Sequence, residues 1–90
     1  MEKNEQETTI KLIVLTSKLK LISQVEQVGA DIGEPDCKLT KPFVLVEGGM
    51  LESWMMDATR EDVFMISSDK IITIVDPTPT LIEKYEDLNK

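Results

Sequence analysis

Apolar residues recur along this chain in short alternating runs separated by polar breaks, a period of two that predicts strands over most of its length. From Thr9 to Thr16, β-branched residues dominate. Ile10, Leu12 and Val14 fall on one face of a strand, and Ile13 and Leu15 on the other. A strand apolar on both faces is covered on both sides, as in a small barrel or at an interface. Ser17-Lys18 is a turn, and the next run, Leu19 to Val28, alternates well from Leu21 onward. Gly29 to Asp36 reads as a loop from its Gly, Pro and Asp content. A third strand spans Cys37 to Val46 with Pro42 inside it, which marks an edge, a bulge or a strand start, because proline donates nothing to a ladder. Glu47-Gly48-Gly49 breaks the chain. Met50 to Ala58 fits either a strand or an ordered loop, and Thr59 to Asp62 is a polar turn. Val63–Ile66 and Ile71–Val75 read as a hairpin joined by Ser67-Ser68-Asp69-Lys70.

The period then changes. Asp76-Pro77 stops the last strand, Thr78 is placed to cap a helix, and Pro79 fits its first position, where a missing N–H costs nothing. The helix covers about residues 79–88. Leu81, Ile82, Tyr85 and Leu88 share one face, while Glu83, Lys84, Glu86 and Asp87 face water. About ten residues make a marginal helix in isolation, so it must dock on the sheet or on a neighbouring subunit.

Ninety residues suffice for one domain with a thin core. Residues 1–8 form a polar N-terminal tail and 9–90 the folded domain. The single cysteine, Cys37, permits no internal disulfide and fits a reducing compartment. Self-association is then a common source of extra stability. The start of the chain is too acidic for a signal peptide, and no apolar run approaches a membrane span, so the expected location is cytoplasmic. A net charge of −7, from 17 acidic and 10 basic residues, disfavours duplex DNA and anionic membrane surfaces.

The chemistry is sparse. There is no histidine, which removes the commonest general base and metal ligand and leaves Cys37 without an activating partner. No phosphate-cradling glycine loop and no zinc spacing occur. The expectation is a binding protein, not an enzyme, with no cofactor and no metal. Asp57, Glu61 and Asp62 cluster in a polar turn, but their spacing matches no calcium loop, and they read as a solvated strand end. Trp54-Met55-Met56, with Met50 and Met65 nearby, is the most unusual local feature. Trp and Met are enriched at interfaces, so this group is either a core anchor or part of a subunit contact, with ligand stacking a distant third.

Ile66-Ser67-Ser68-Asp69-Lys70-Ile71-Ile72-Thr73-Ile74 resembles the second signature of Sm-like proteins. Ile10 to Leu15, the Thr16-Ser17 turn and Leu21-Ile22-Ser23-Gln24-Val25 resemble the first. The chain is most similar to compact bacterial or phage-type members, over roughly residues 9–76. It departs from the pattern at Ser17 and Ser23, which stand where the family has glycines. Ser67 stands at the usual RNA-contacting basic position, and Ser68 replaces a further glycine. The family's usual helix precedes its sheet, whereas here the helix follows it.

The resemblance implies a mainly all-β domain: a strongly bent five-stranded antiparallel sheet, an SH3-like open barrel, with a short C-terminal helix. It further implies a homo-oligomeric ring whose last two strands pair between subunits. The expected seam comprises Trp54, Val63, Phe64, Met65, Ile71 and Thr73. Ser67, Ser68 and Lys70 would be the RNA contacts, helped by the Gly29–Asp36 loop. Neither loop has an aromatic residue, and the first is acidic, which is poor chemistry for single-stranded RNA. Two functions therefore stand: an RNA-binding ring, or a ring that presents a repeated surface to a protein partner.

Overall fold

The computed structural model describes residues 10–89. The expected polar tail, 1–8, lies outside them. The chain is mainly β, with strands β1 (Ile10–Leu15), β2 (Lys20–Gln27), β3 (Cys37–Val46), β4 (Met50–Ser53), β5 (Val63–Ile66) and β6 (Ile71–Val75), followed by helix α1 (Pro79–Leu88). All pairings are antiparallel. The sheet runs β4-β3-β2-β1-β6, and β5 also lies beside β3.

Six strands are present where the resemblance implied five, because one side of β3 is shared by two short strands. Its first half, Cys37 to Thr40, pairs with β5, and its second half, Phe43 to Val46, pairs with β4. The changeover falls at Lys41-Pro42. Lys41 has φ 54°, a left-handed conformation that costs a non-glycine residue about 1 kcal/mol. Pro42 needs no ladder donor there, which is the role its position in the sequence suggested. The break is tied on both sides. The Lys41 N–H donates to the Asp62 carbonyl at 2.6 Å, and the Trp54 N–H donates to the Pro42 carbonyl at 3.1 Å. At the far end of β3, Gly48 and Gly49, with φ 82° and 77°, make the tight turn into β4.

The expected hairpin does not form. β5 pairs with β3 and β6 with β1, so consecutive strands occupy opposite ends of the sheet. Ser68–Lys70 forms a 3-10 turn, and this sequence carries no residue with positive φ to make the primed turn that a tight hairpin favours. Four strand spacings separate β5 from β6 along the sheet, about 19 Å if it were flat. The five steps from Ile66 to Ile71 reach only about 17 Å when fully extended, and less through a 3-10 turn. The sheet must curl to bring its ends together. Two irregularities help: one in β6 opposite Val14/Leu15, the other in β3, where Lys41 and Pro42 together face Ser23 of β2. Ser23 is fully buried, and its hydroxyl lies 3.0 Å from both the Gln24 and Thr40 carbonyl oxygens. The bulge at Lys41-Pro42 thus bends the sheet, and the buried Ser23 hydroxyl opposite it is satisfied.

Inside the curl, Ile13, Leu15, Leu21 and Leu39 are buried, with Trp54, Phe64, Ile66 and Ile71 packed against them. Each fully buried aliphatic side chain contributes about 1.5–3 kcal/mol. On the other face, which carries Ile22 and Phe43, α1 packs against Phe43. Tyr85 is buried there, edge-on to Phe43 at 5.7 Å, and its hydroxyl donates to the Thr40 carbonyl at 3.0 Å. Burial pushes the Tyr85 phenol above its ordinary pKa, and hydrogen bonding to Gln24 partly opposes this. The helix begins where the sequence placed it, with Thr78 Oγ1 accepting from the Leu81 N–H at 3.3 Å.

Candidate binding surfaces

Three surfaces carry the residues singled out by the sequence: the turn joining β5 to β6, the outer edges of those strands, and a cleft at the β3 break.

At the turn, Ser68 is already occupied. Its backbone N–H and hydroxyl both donate to the Asp36 carboxylate, at 2.7 and 2.8 Å. The Asp36 N–H in turn donates to the Ile66 carbonyl at 3.2 Å. The two Ser68 hydrogen bonds hold the Asp36 carboxyl below its ordinary pKa, so it remains charged. A fixed negative charge therefore sits on the groups that a phosphate would need. The lysines do not converge to offset it. Lys41 is paired with Asp62 at 3.0 Å, Lys11 with Asp76, and Lys38 stands 3.9 Å from Glu26. Lys70 alone of these has no carboxylate partner among the described residues. Cys37, next to Asp36, is buried, and desolvation raises its thiol's pKa, with the Asp36 charge adding to this.

The expected seam residues divide into two sets. Val63 and Met65 on β5 are exposed, as are Thr73 and its neighbours Ile72 and Ile74 on β6. Phe64, Ile71 and Trp54 instead face the core, with Trp54 tilted against Phe64 at 5.4 Å between ring centroids. Among the described residues, the outer edges of β5 and β6 have no strand partner. β6 is the less protected, since Ile72, Ile74 and Val75 are 57%, 44% and 45% exposed and lie on both of its faces.

The cleft was not foreseen. The 54–62 segment leaves the sheet between β4 and β5, opening a cavity of about 830 Å³ between itself, the β3 break and the end of α1. Met55, with φ 62°, shapes this segment, and its carbonyl accepts from the Ala58 and Thr59 N–H groups. Asp62 is held below its ordinary pKa by Lys41, through a hydrogen bond and by its charge. Asp57, Arg60 and Glu61 line the cleft with no ionic partner among the described residues. The nearest signals in the sequence were the unusual Trp54-Met55-Met56 run and the Asp57, Glu61 and Asp62 cluster read as a solvated strand end, but neither announced that β3 would break opposite them. Among the described residues no cluster of potential ligands is arranged to hold a metal ion. No described helix is long and apolar enough to cross a membrane.

Residues 8–90 match a family of unknown function, DUF6561. The chain belongs to that family. No curated protein matches it.

Proposed function

We propose that this DUF6561 chain assembles head to tail with copies of itself into a closed ring. In this reading it works by binding, as a scaffold that presents a repeated surface to a protein partner in the cytoplasm. The observation that carries it is the pair of apolar strand edges, β5 and β6, at the two ends of one curled sheet, neither with a strand partner among the described residues. Open edges of this kind invite pairing with another chain. The two edges differ in sequence, so joining β5 of one copy to β6 of the next is a heterologous contact, and such contacts close into rings when the rotation permits. The resemblance to Sm-like proteins supports the same arrangement. The Asp36 carboxylate on Ser68 favours a protein partner over RNA, because it places negative charge at the turn where RNA would be held.

Light scattering on a sizing column tests the assembly. The expected result is one species at a fixed multiple of the 10.2 kDa chain. Ile72→Lys and Met65→Lys, each placing a charge at an exposed position on one edge strand, are expected to yield folded monomers. A monomeric parent protein would overturn the ring. RNA is tested on the same sample: tight, salt-sensitive binding of a single-stranded oligonucleotide, abolished by Lys70→Glu, would reverse the choice of partner.

A further inference from the structure

We propose that the cleft at the β3 break is a docking site for a basic, amphipathic polypeptide segment. The inference names the partner surface of the scaffold reading and rests on it in that respect. The cleft has a largely polar lining, with negative charge uncompensated among the described residues, and a few large apolar side chains at its rim. Met56 and Leu88, 73% and 53% exposed, are large apolar groups left facing solvent at its rim, with Trp54 behind them. Methionine suits such a surface because its flexible, polarisable side chain adapts to varied partners.

The charge specifies the partner. The one lysine of the cleft is spent on Asp62. What remains is Arg60 against the carboxylates of Asp57 and Glu61, which have no ionic partner among the described residues. The C-terminal end of α1 also lies at the cleft, through Leu88 and Asn89. That end is the negative pole of the helix, and its last turn has no basic residue to neutralise it. A lysine or arginine entering the cleft would meet both carboxylates and the helix end. Its flanking apolar residues would cover Met56 and Leu88, and the indole of Trp54 offers a face for a cation. The chain's net charge of −7 steers such a partner inward and repels an acidic one.

The left-handed residues Lys41 and Met55 stand on the two sides of the cleft, and strain of this kind persists only where surrounding structure imposes it. Both backbone ties across the break, Lys41 to Asp62 and Trp54 to Pro42, frame the same opening.

Trp54 is the chain's single tryptophan, so its fluorescence reports on the cleft directly. The probe is a synthetic peptide of alternating leucine and lysine, titrated into the full-length protein, with an alternating leucine–glutamate peptide for comparison. A saturable change in Trp54 emission is expected for the lysine peptide alone. The double variant Asp57→Asn/Glu61→Gln should weaken binding on the order of tenfold, two exposed charge contacts being removed. Met56→Ser should weaken it a fewfold. Glu83→Gln/Glu86→Gln removes the same charge from exposed positions of α1 and should leave affinity nearly unchanged. No fluorescence response, or equal weakening by both double variants, would overturn the cleft as the site, the latter showing only diffuse charge attraction. Light scattering on the same samples separates the two readings. An intact ring that ignores the peptide sinks the cleft alone, and a monomer that binds it sinks the ring alone.

Discussion

The long strand β3 serves two regions that treat their polar groups in opposite ways. Beside its first residue, the Asp36 carboxylate closes on Ser68 and satisfies both donors of that residue from within the chain. Where the strand breaks, at Lys41-Pro42, one carboxylate is paired and two more, Asp57 and Glu61, are left to solvent next to exposed Met56 and Leu88. The first region is finished and the second is open. A surface that has spent its hydrogen bonds internally has little to offer a ligand without first losing them, whereas unpaired charge beside exposed apolar side chains gains from being covered. Family resemblance directs attention to the turn, but residue chemistry directs it to the break.

Both regions hang on the same stretch of core, so the largest expected effect removes them together. Leu39 is fully buried in β3 midway between Asp36 and Pro42. Leu39→Ala should cost about 3 kcal/mol through lost burial and the cavity left behind. A domain this small has little stability to spare. Urea unfolding of the variant should show a much lower midpoint, and loss of both the turn and the cleft signals in one cooperative step. If the turn melted at lower urea than the cleft, the two would not share a core, and the comparison would have to be redrawn as one between independent units.

Strain separates the two regions more finely. Met55 holds a left-handed conformation on the cleft side and is 41% exposed. Met55→Gly should raise stability by about 0.5 kcal/mol, since relief of roughly 1 kcal/mol is partly offset by the freer unfolded chain. Met55→Ala should not raise it. If the strain serves to keep the cleft shaped, the glycine variant should bind the leucine–lysine peptide more weakly while unfolding at higher urea. Higher stability with unchanged binding would mean that the conformation is a tolerated defect, not part of the site.

The parts of this arrangement legible in the sequence are those governed by local chemistry. β1 and its two apolar faces, the Gly29–Asp36 loop and the entry of Thr78-Pro79 into α1 all follow from periodicity and capping. Pro42 marked an irregularity in β3 before its cause was visible. What could not be read is which strands become neighbours. Val63–Ile66 and Ile71–Val75 look like a hairpin because both are short and apolar with four polar residues between them. The same four residues serve equally well as a 3-10 crossing once the sheet curls. The cleft was hidden for a related reason. It depends on β3 exchanging β5 for β4 at Lys41, a left-handed lysine that no propensity announces. Likewise Asp36 and Ser68, 32 residues apart, give no sequence sign that they are partners.

The smallest expected effect tests whether the closed region is closed in solution. Folding lowers the Asp36 pKa below its ordinary 3.8, because the carboxylate accepts from both donors of Ser68. The folded protein therefore binds this proton less readily than the unfolded chain. The contribution is fully present above about pH 4 and is lost as pH falls through the lowered folded value. Asp62, lowered by Lys41, behaves in the same sense at the other region. Asp36→Asn removes only the first of these. Between about pH 7 and pH 5 the urea midpoints of parent and variant should differ by a constant amount, since the group does not titrate there. Below about pH 4 the gap should narrow, the parent falling faster while its Asp62 contribution cancels in the comparison. The narrowing should be small, because both partners sit at the surface. Parallel lines through the whole acid range would mean that Asp36 does not hold Ser68. The turn at Ser67, Ser68 and Lys70 would then be as open as the cleft, and RNA would return as the better candidate for the ring's ligand.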